Sequence, residues 1–165
     1  MKFVGYTALI AGVLGMVSAC GGEGGDTASS DAAATADPAL VRQVEQRQAG
    51  FQDMGAAFKA INDEVRAGRP NSTTVDFSID SVVRYGRDMH SWFPEGTGPD
   101  LGIEMEAKAN IWEEPEEFQA HIEQFEDALN DLEAAKGGEA SVVQAAFGKT
   151  GGACKACHEK FREED

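Results

Sequence analysis

From Leu40 onward the apolar residues of this chain recur at alternating steps of three and four, which confines the fold to packed helices. The first run is Leu40, Val44, Arg47, Phe51, Met54, Phe58, Ile61 and Val65, stopped by Gly68 and Pro70. The second is Val75, Ile79, Val82, Gly86, Met89 and Phe93, stopped by Pro94. The third is Phe118, Ile122, Phe125, Leu129 and Leu132, closed by Gly137-Gly138. Pro115, Glu116 and Glu117 suit its first turn, where proline loses no hydrogen bond and acids face the positive end of the dipole. The last run is Val143, Phe147, Thr150, Cys154, Cys157 and Phe161. No stretch alternates with period two, so no strand is expected. Four narrow apolar seams predict an all-α antiparallel four-helix bundle over residues 39–165.

Two features sit awkwardly in that pattern. Arg47 lies on the first seam, where a lone charge is costly unless an anion meets it. Gly148, Gly151 and Gly152 lie in the fourth helix, where each costs about 1 kcal/mol against alanine. A ligand with acidic groups and a bulky flat body would account for both.

The N-terminal segment sets the compartment. MKFVGYTALIAGVLGMVSAC has one cation, Lys2, then a mostly apolar run and small residues, which reads as a secretory signal over residues 1–19. Its ending, Val17-Ser18-Ala19-Cys20, resembles the lipobox of bacterial lipoproteins, which implies cleavage before Cys20 and lipidation of that residue. An ordinary signal with Cys20 left as a free thiol is the alternative. Residues 20–38 lack any large apolar side chain and read as a flexible tether. The residue after Cys20 is Gly21, not the aspartate linked to inner-membrane retention, so a periplasm-facing outer-membrane anchor is expected. The chain carries 29 acidic and 14 basic residues, a net charge of −15. That charge repels nucleic acid and anionic lipid headgroups, leaving the anchor as the sole membrane contact.

Cys154, Cys157 and His158 form C-x-x-C-H, the attachment signature of a c-type haem. Two thiols add to the two vinyl groups, and the adjacent histidine reaches iron from the same face. Competing readings are weaker. A zinc site needs four ligands, and His90 and His121 lack the usual paired spacing. A thioredoxin-type dithiol needs an α/β setting. A disulfide here would close too short a loop to stabilise much. One covalent haem c is therefore expected, with its propionates near Arg47 and its plane against the fourth helix.

With haem on the last helix of a bundle, the chain resembles the cytochromes c′ from about Val41 to its end. The family's closing pattern, A-F-G-x-x-G-x-x-C-K-x-C-H-x-x-[FY]-R, is met by AFGKTGGACKACHEKFR, residues 146–162. The first-helix pattern is met by Arg47, Gln48, Phe51, Met54 and Phe58. FPEGT at 93–97, and Ile111-Trp112 followed by Phe118, match in order. The departures are the lipobox, a longer loop after Pro99, and Ala109-Asn110 where the family has Pro-Glu, so the family's loop contacts are not carried over to Glu106. The resemblance implies His158 as proximal iron ligand, with Phe161 and Arg162 beside it. It also implies Arg47 and Gln48 on a propionate, Phe51 over the distal face, and Met54 and Phe58 next to the ring. Trp112 is expected to fill core, and His90 and His121 to be solvated.

Phenylalanine cannot ligate iron or donate a hydrogen bond. A five-coordinate iron in an apolar pocket is expected, suited to nitric oxide and carbon monoxide, with electron exchange as the family's general activity. The alternative is a six-coordinate, low-spin electron carrier with Met54 as sixth ligand. A haem sensor or structural subunit ranks last, since no output domain follows. No nucleophile–base pair is visible, so an enzyme is not expected. Redox proteins, and a second copy through the first two helices, are the protein partners the resemblance implies.

Overall fold

The computed structural model describes residues 36–163. Its long helices are α1 (Pro38–Arg66), α2 (Thr73–Asp88), α3 (Pro115–Ala135) and α4 (Ala140–Phe161). They follow the four apolar runs, and an antiparallel four-helix bundle results. Among the described residues there is no strand, only an isolated bridge between Ala107 and Arg162. The expected signal, tether and Cys20 lie outside the described residues, apart from 36–38.

Local chemistry sets the helix ends. Asp37 caps α1 by accepting from Ala39 N at 2.8 Å, and Pro38 occupies the first turn. The helix therefore starts one residue before the expected bundle boundary. Gly68, at φ +74°, turns the chain after α1, a conformation that glycine adopts without steric penalty. Ser72 caps α2 through Val75 N at 3.3 Å. The second apolar run extends past α2, which ends at Asp88. The 3-10 turn Met89–Ser91 carries it on, burying Met89 and then Trp92.

Ile61, Ile79, Ile122, Leu129, Leu132 and Val143 are fully buried along the bundle axis. Truncating such a residue to alanine costs about 2–5 kcal/mol. Gly86 lets α2 and α3 close, because a Cβ there would stand 2.4 Å from Leu129 Cδ1 and 2.9 Å from Phe125 Cε1. Thr150, buried between α3 and α4, shares its one hydroxyl proton between Ala128 O at 3.2 Å and Ala146 O at 3.0 Å.

Packing is uneven around the bundle. Helices α1 and α2 form one close pair, α3 and α4 the other, and α2 joins them to each other. Helices α1 and α4 meet where Phe58 stacks on Phe147 at 4.3 Å. Toward Arg47 and His158 they leave a gap.

Candidate functional site

That gap opens into a cavity of about 820 Å³. One wall is α1, with Arg47, Gln48, Phe51, Met54 and Phe58; the other is the end of α4, with Cys154, Cys157, His158, Phe161 and Arg162. Every cofactor-contact residue expected from the sequence lines this one space. Helical spacing explains it, since positions three and four apart share a face and the two helices run antiparallel.

The apolar wall is braced from behind. Phe51 meets Trp92 edge-on at 5.0 Å and Phe93 at 6.1 Å. Trp92 fits against α1 because position 50 is glycine; a Cβ there would lie 2.7 Å from the indole. Met54 belongs to the buried core as well as to the cavity wall.

Arg47 is 3% exposed, and all its hydrogen-bond acceptors are neutral. Its guanidinium donates to Thr97 O at 3.2 Å, Thr97 Oγ1 at 3.3 Å, Trp92 O at 3.4 Å and Met105 Sδ at 3.7 Å. It also lies 4.8 Å over the Phe93 ring. Burial draws its pKa down to about 10, which leaves it a cation at neutral pH. A buried, charged donor group bordering a cavity is a place for an anion.

Cys154 and Cys157 are free thiols on one helix face. Burial pushes both up to about 11, and for Cys157 the neighbouring Cys154 adds to the effect. Both are therefore protonated at neutral pH. The His158 pKa is lowered, first by burial and then by Arg162, while Glu106 acts in the opposite direction. That direction favours the neutral imidazole, the form that binds a metal.

The glycine expectation holds only in part. Gly151 is half-buried, and a Cβ there would stand 3.3 Å from Phe58. Gly148 and Gly152 are exposed, and neither lines the cavity. Trp112 is half-buried, bonding Pro94 O at 3.1 Å behind Arg47 and away from the cavity. His90 is exposed, whereas His121 is half-buried with its ring 5.1 Å from Phe161.

Four contributors were not assigned a role from the sequence. Thr97, 0% exposed, holds Arg47, and its position in FPEGT is the only signal that could have found it. Trp92 backs Phe51, with no signal beyond an aromatic cluster. Met105 and Glu106, from the long connection after Pro99, also line the cavity.

A c-type haem fits these residues. Two free thiols adjoin an imidazole on one wall, apolar side chains face them, and a buried guanidinium with only neutral acceptors awaits carboxylates. The comparisons agree with that fit. The family model described as Cytochrome C' matches residues 42–162. A cytochrome c' of Allochromatium vinosum is 33% identical over 138 residues, covering 82% of this chain and 88% of that protein. The structure of cytochrome c' from Rubrivivax gelatinosus superposes with a TM-score of 0.67 at 32% identity, covering 73% of this chain and 94% of that one. A nitric oxide complex of a cytochrome c prime mutant from Alcaligenes xylosoxidans shares the fold, with a TM-score of 0.68 at 24% identity over 76% of this chain and 97% of that one. The match over most of the chain, the bundle and the cavity lead to one conclusion: this chain belongs to the cytochrome c′ family of haem proteins.

Proposed function

We propose that this protein binds nitric oxide and carbon monoxide at a five-coordinate haem iron in the cell envelope, and exchanges electrons there. The carrying observation is the cavity itself, with C-x-x-C-H on one wall and Phe51, Met54 and Phe58 on the other. Bound there, haem c supplies an iron that takes up one electron or one diatomic gas. Cys154 and Cys157 would hold the group through thioether bonds. His158 would offer an imidazole nitrogen to the iron, and Arg47 and Gln48 would meet the propionates. Phe51, fixed by Trp92 and Phe93, would exclude water from the cavity wall facing the C-x-x-C-H helix and give no hydrogen bond to a polar ligand. Nitric oxide and carbon monoxide need no such donor, whereas dioxygen does. The fold-mate solved as a nitric oxide complex supports the same reading.

Mass spectrometry of the denatured protein should show one haem retained covalently. Nitric oxide added to the ferrous protein should then change its absorption spectrum, while dioxygen should oxidise it without a stable complex. No spectral response to nitric oxide refutes gas binding. The anchor is tested separately: Cys20→Ser should move the protein from the membrane fraction to the soluble periplasm at unchanged haem content. Wild-type protein that is soluble, with an unmodified N-terminus, refutes anchoring.

A further inference from the structure

The connection after Pro99 crosses the gap that α1 and α4 leave open. At the α1 side, Gln48 Nε2 donates to Glu104 O at 3.4 Å and Arg47 reaches Met105 Sδ. At the α4 side, Glu163 N donates to Glu106 O at 2.7 Å and Lys108 N donates to Phe161 O at 3.0 Å. Between these bonds lies the Ala107–Arg162 bridge, and the Glu106 carboxylate stands 2.6 Å from Arg162 Nε. Residues 104–108 thus form a strap tied to both walls, and Glu106 is the point where strap, α4 and cavity meet.

We propose that Glu106 is a positioning residue that holds the Arg162 guanidinium beside His158 and latches the strap across the mouth of the cavity. This inference rests on the haem reading above. Arg162 follows His158 by one helical turn, and its N–H closes on His158 O at 3.0 Å. Its side chain leaves the helix where α4 ends, so the backbone alone does not aim it. Exposed ion pairs ordinarily contribute little, because two long side chains lose entropy to meet. Here the flanking backbone bonds already fix both residues, so less freedom is lost. Glu106, His158 and Arg162 all line the same cavity, so both charges border the imidazole.

A charge that is merely nearby acts independently of its neighbour, whereas a charge that is held in place depends on its holder. A double-mutant cycle separates the two. Reduction potentials are to be measured on the haem-loaded wild type, Arg162→Gln, Glu106→Ala and the double variant, each first checked by mass for covalent haem. Wild type lacking covalent haem refutes the haem reading and is seen before any potential is measured. With haem present, Arg162→Gln should lower the potential in the wild-type background, since losing a cation favours ferric iron. The same substitution in the Glu106→Ala background should shift it far less, because the guanidinium has lost the carboxylate that aims it at His158. Amide exchange at Lys108 and Glu163 should quicken in Glu106→Ala. An equal Arg162→Gln shift in both backgrounds overturns the proposal, as does unchanged exchange at both amides.

Discussion

Arg47→Leu separates two accounts of the same buried cation by energy. The substitution removes the donors to Trp92 O and Thr97 O, and a buried acceptor left without a donor costs about 1–3 kcal/mol. Thr97 Oγ1 keeps its own bond to Pro94 O at 2.7 Å, so the turn does not collapse. Against that loss stands the relief of desolvation, the effect that draws the guanidinium down to about 10. If Arg47 serves only the turn, the two nearly cancel. If it also holds a haem carboxylate, a charge-assisted bond worth about 1.5–3 kcal/mol is lost and a buried carboxylate is left unpaired. The haem-loaded variant should then be less stable by about 2–4 kcal/mol, a shift readily resolved by urea unfolding followed by circular dichroism. Its reduction potential should fall, because a cation that favoured ferrous iron is gone. Arg47→Lys should recover part of the potential but little of the stability, since an ammonium keeps the charge without the planar fork. A stability change within about 0.5 kcal/mol and an unchanged potential would refute the anion-binding role.

Phe51→Ala should speed carbon monoxide entry, read by flash photolysis, while leaving the resting spectrum unchanged; a new low-spin spectrum would contradict the assignment. Gly50→Val drives a branched side chain into the Trp92 ring, which a Cβ already approaches to 2.7 Å. It should destabilise the protein by about 1–3 kcal/mol and alter the carbon monoxide rate through Phe51, whereas Gly148→Ala, on open surface, should be neutral or stabilising. In haem-free protein, alkylation of Cys154 and Cys157 should rise toward pH 11 instead of levelling near 9. The folded chain holds those protons more tightly than the unfolded one. Their contribution to stability is therefore present below pH 9 and lost as pH rises toward 11, and a chain whose stability is flat over that window contradicts the shift.

The legible parts of the fold were those encoded by neighbours on one helix. Phe51, Met54 and Phe58 share a face by spacing alone, and Cys154, Cys157 and His158 declare their chemistry by type and order. Arg47 was legible as an anomaly on an apolar seam, but its neutral partners at Trp92 and Thr97 were not. Those contacts depend on how the turn after α2 folds back, and no periodicity encodes that path. The second apolar run could not show that α2 stops at Asp88, because Met89 and Trp92 continue the burial through a 3-10 turn. Counting glycines on α4 misled for the same reason: Gly148, Gly151 and Gly152 look alike in sequence, yet only Gly151 turns inward. The strap at residues 104–108 lacks any repeat or motif, and its pairing with Phe161 and Glu163 arises purely from tertiary packing.

The central claim is an iron with an open distal side, and the ferrous absorption spectrum tests it most directly. Met54 is buried among core side chains and borders the cavity on the same helix as Phe51, so among the thioethers that line it Met54 is the one placed beside Phe51. Wild type and Met54→Leu should be recorded side by side, before and after carbon monoxide. The account predicts a high-spin ferrous spectrum in both, converted by carbon monoxide to a low-spin one, with Met54→Leu nearly superimposable because the substitution conserves volume and polarity. A low-spin wild-type spectrum that becomes high-spin in Met54→Leu would contradict it and make this protein a six-coordinate electron carrier.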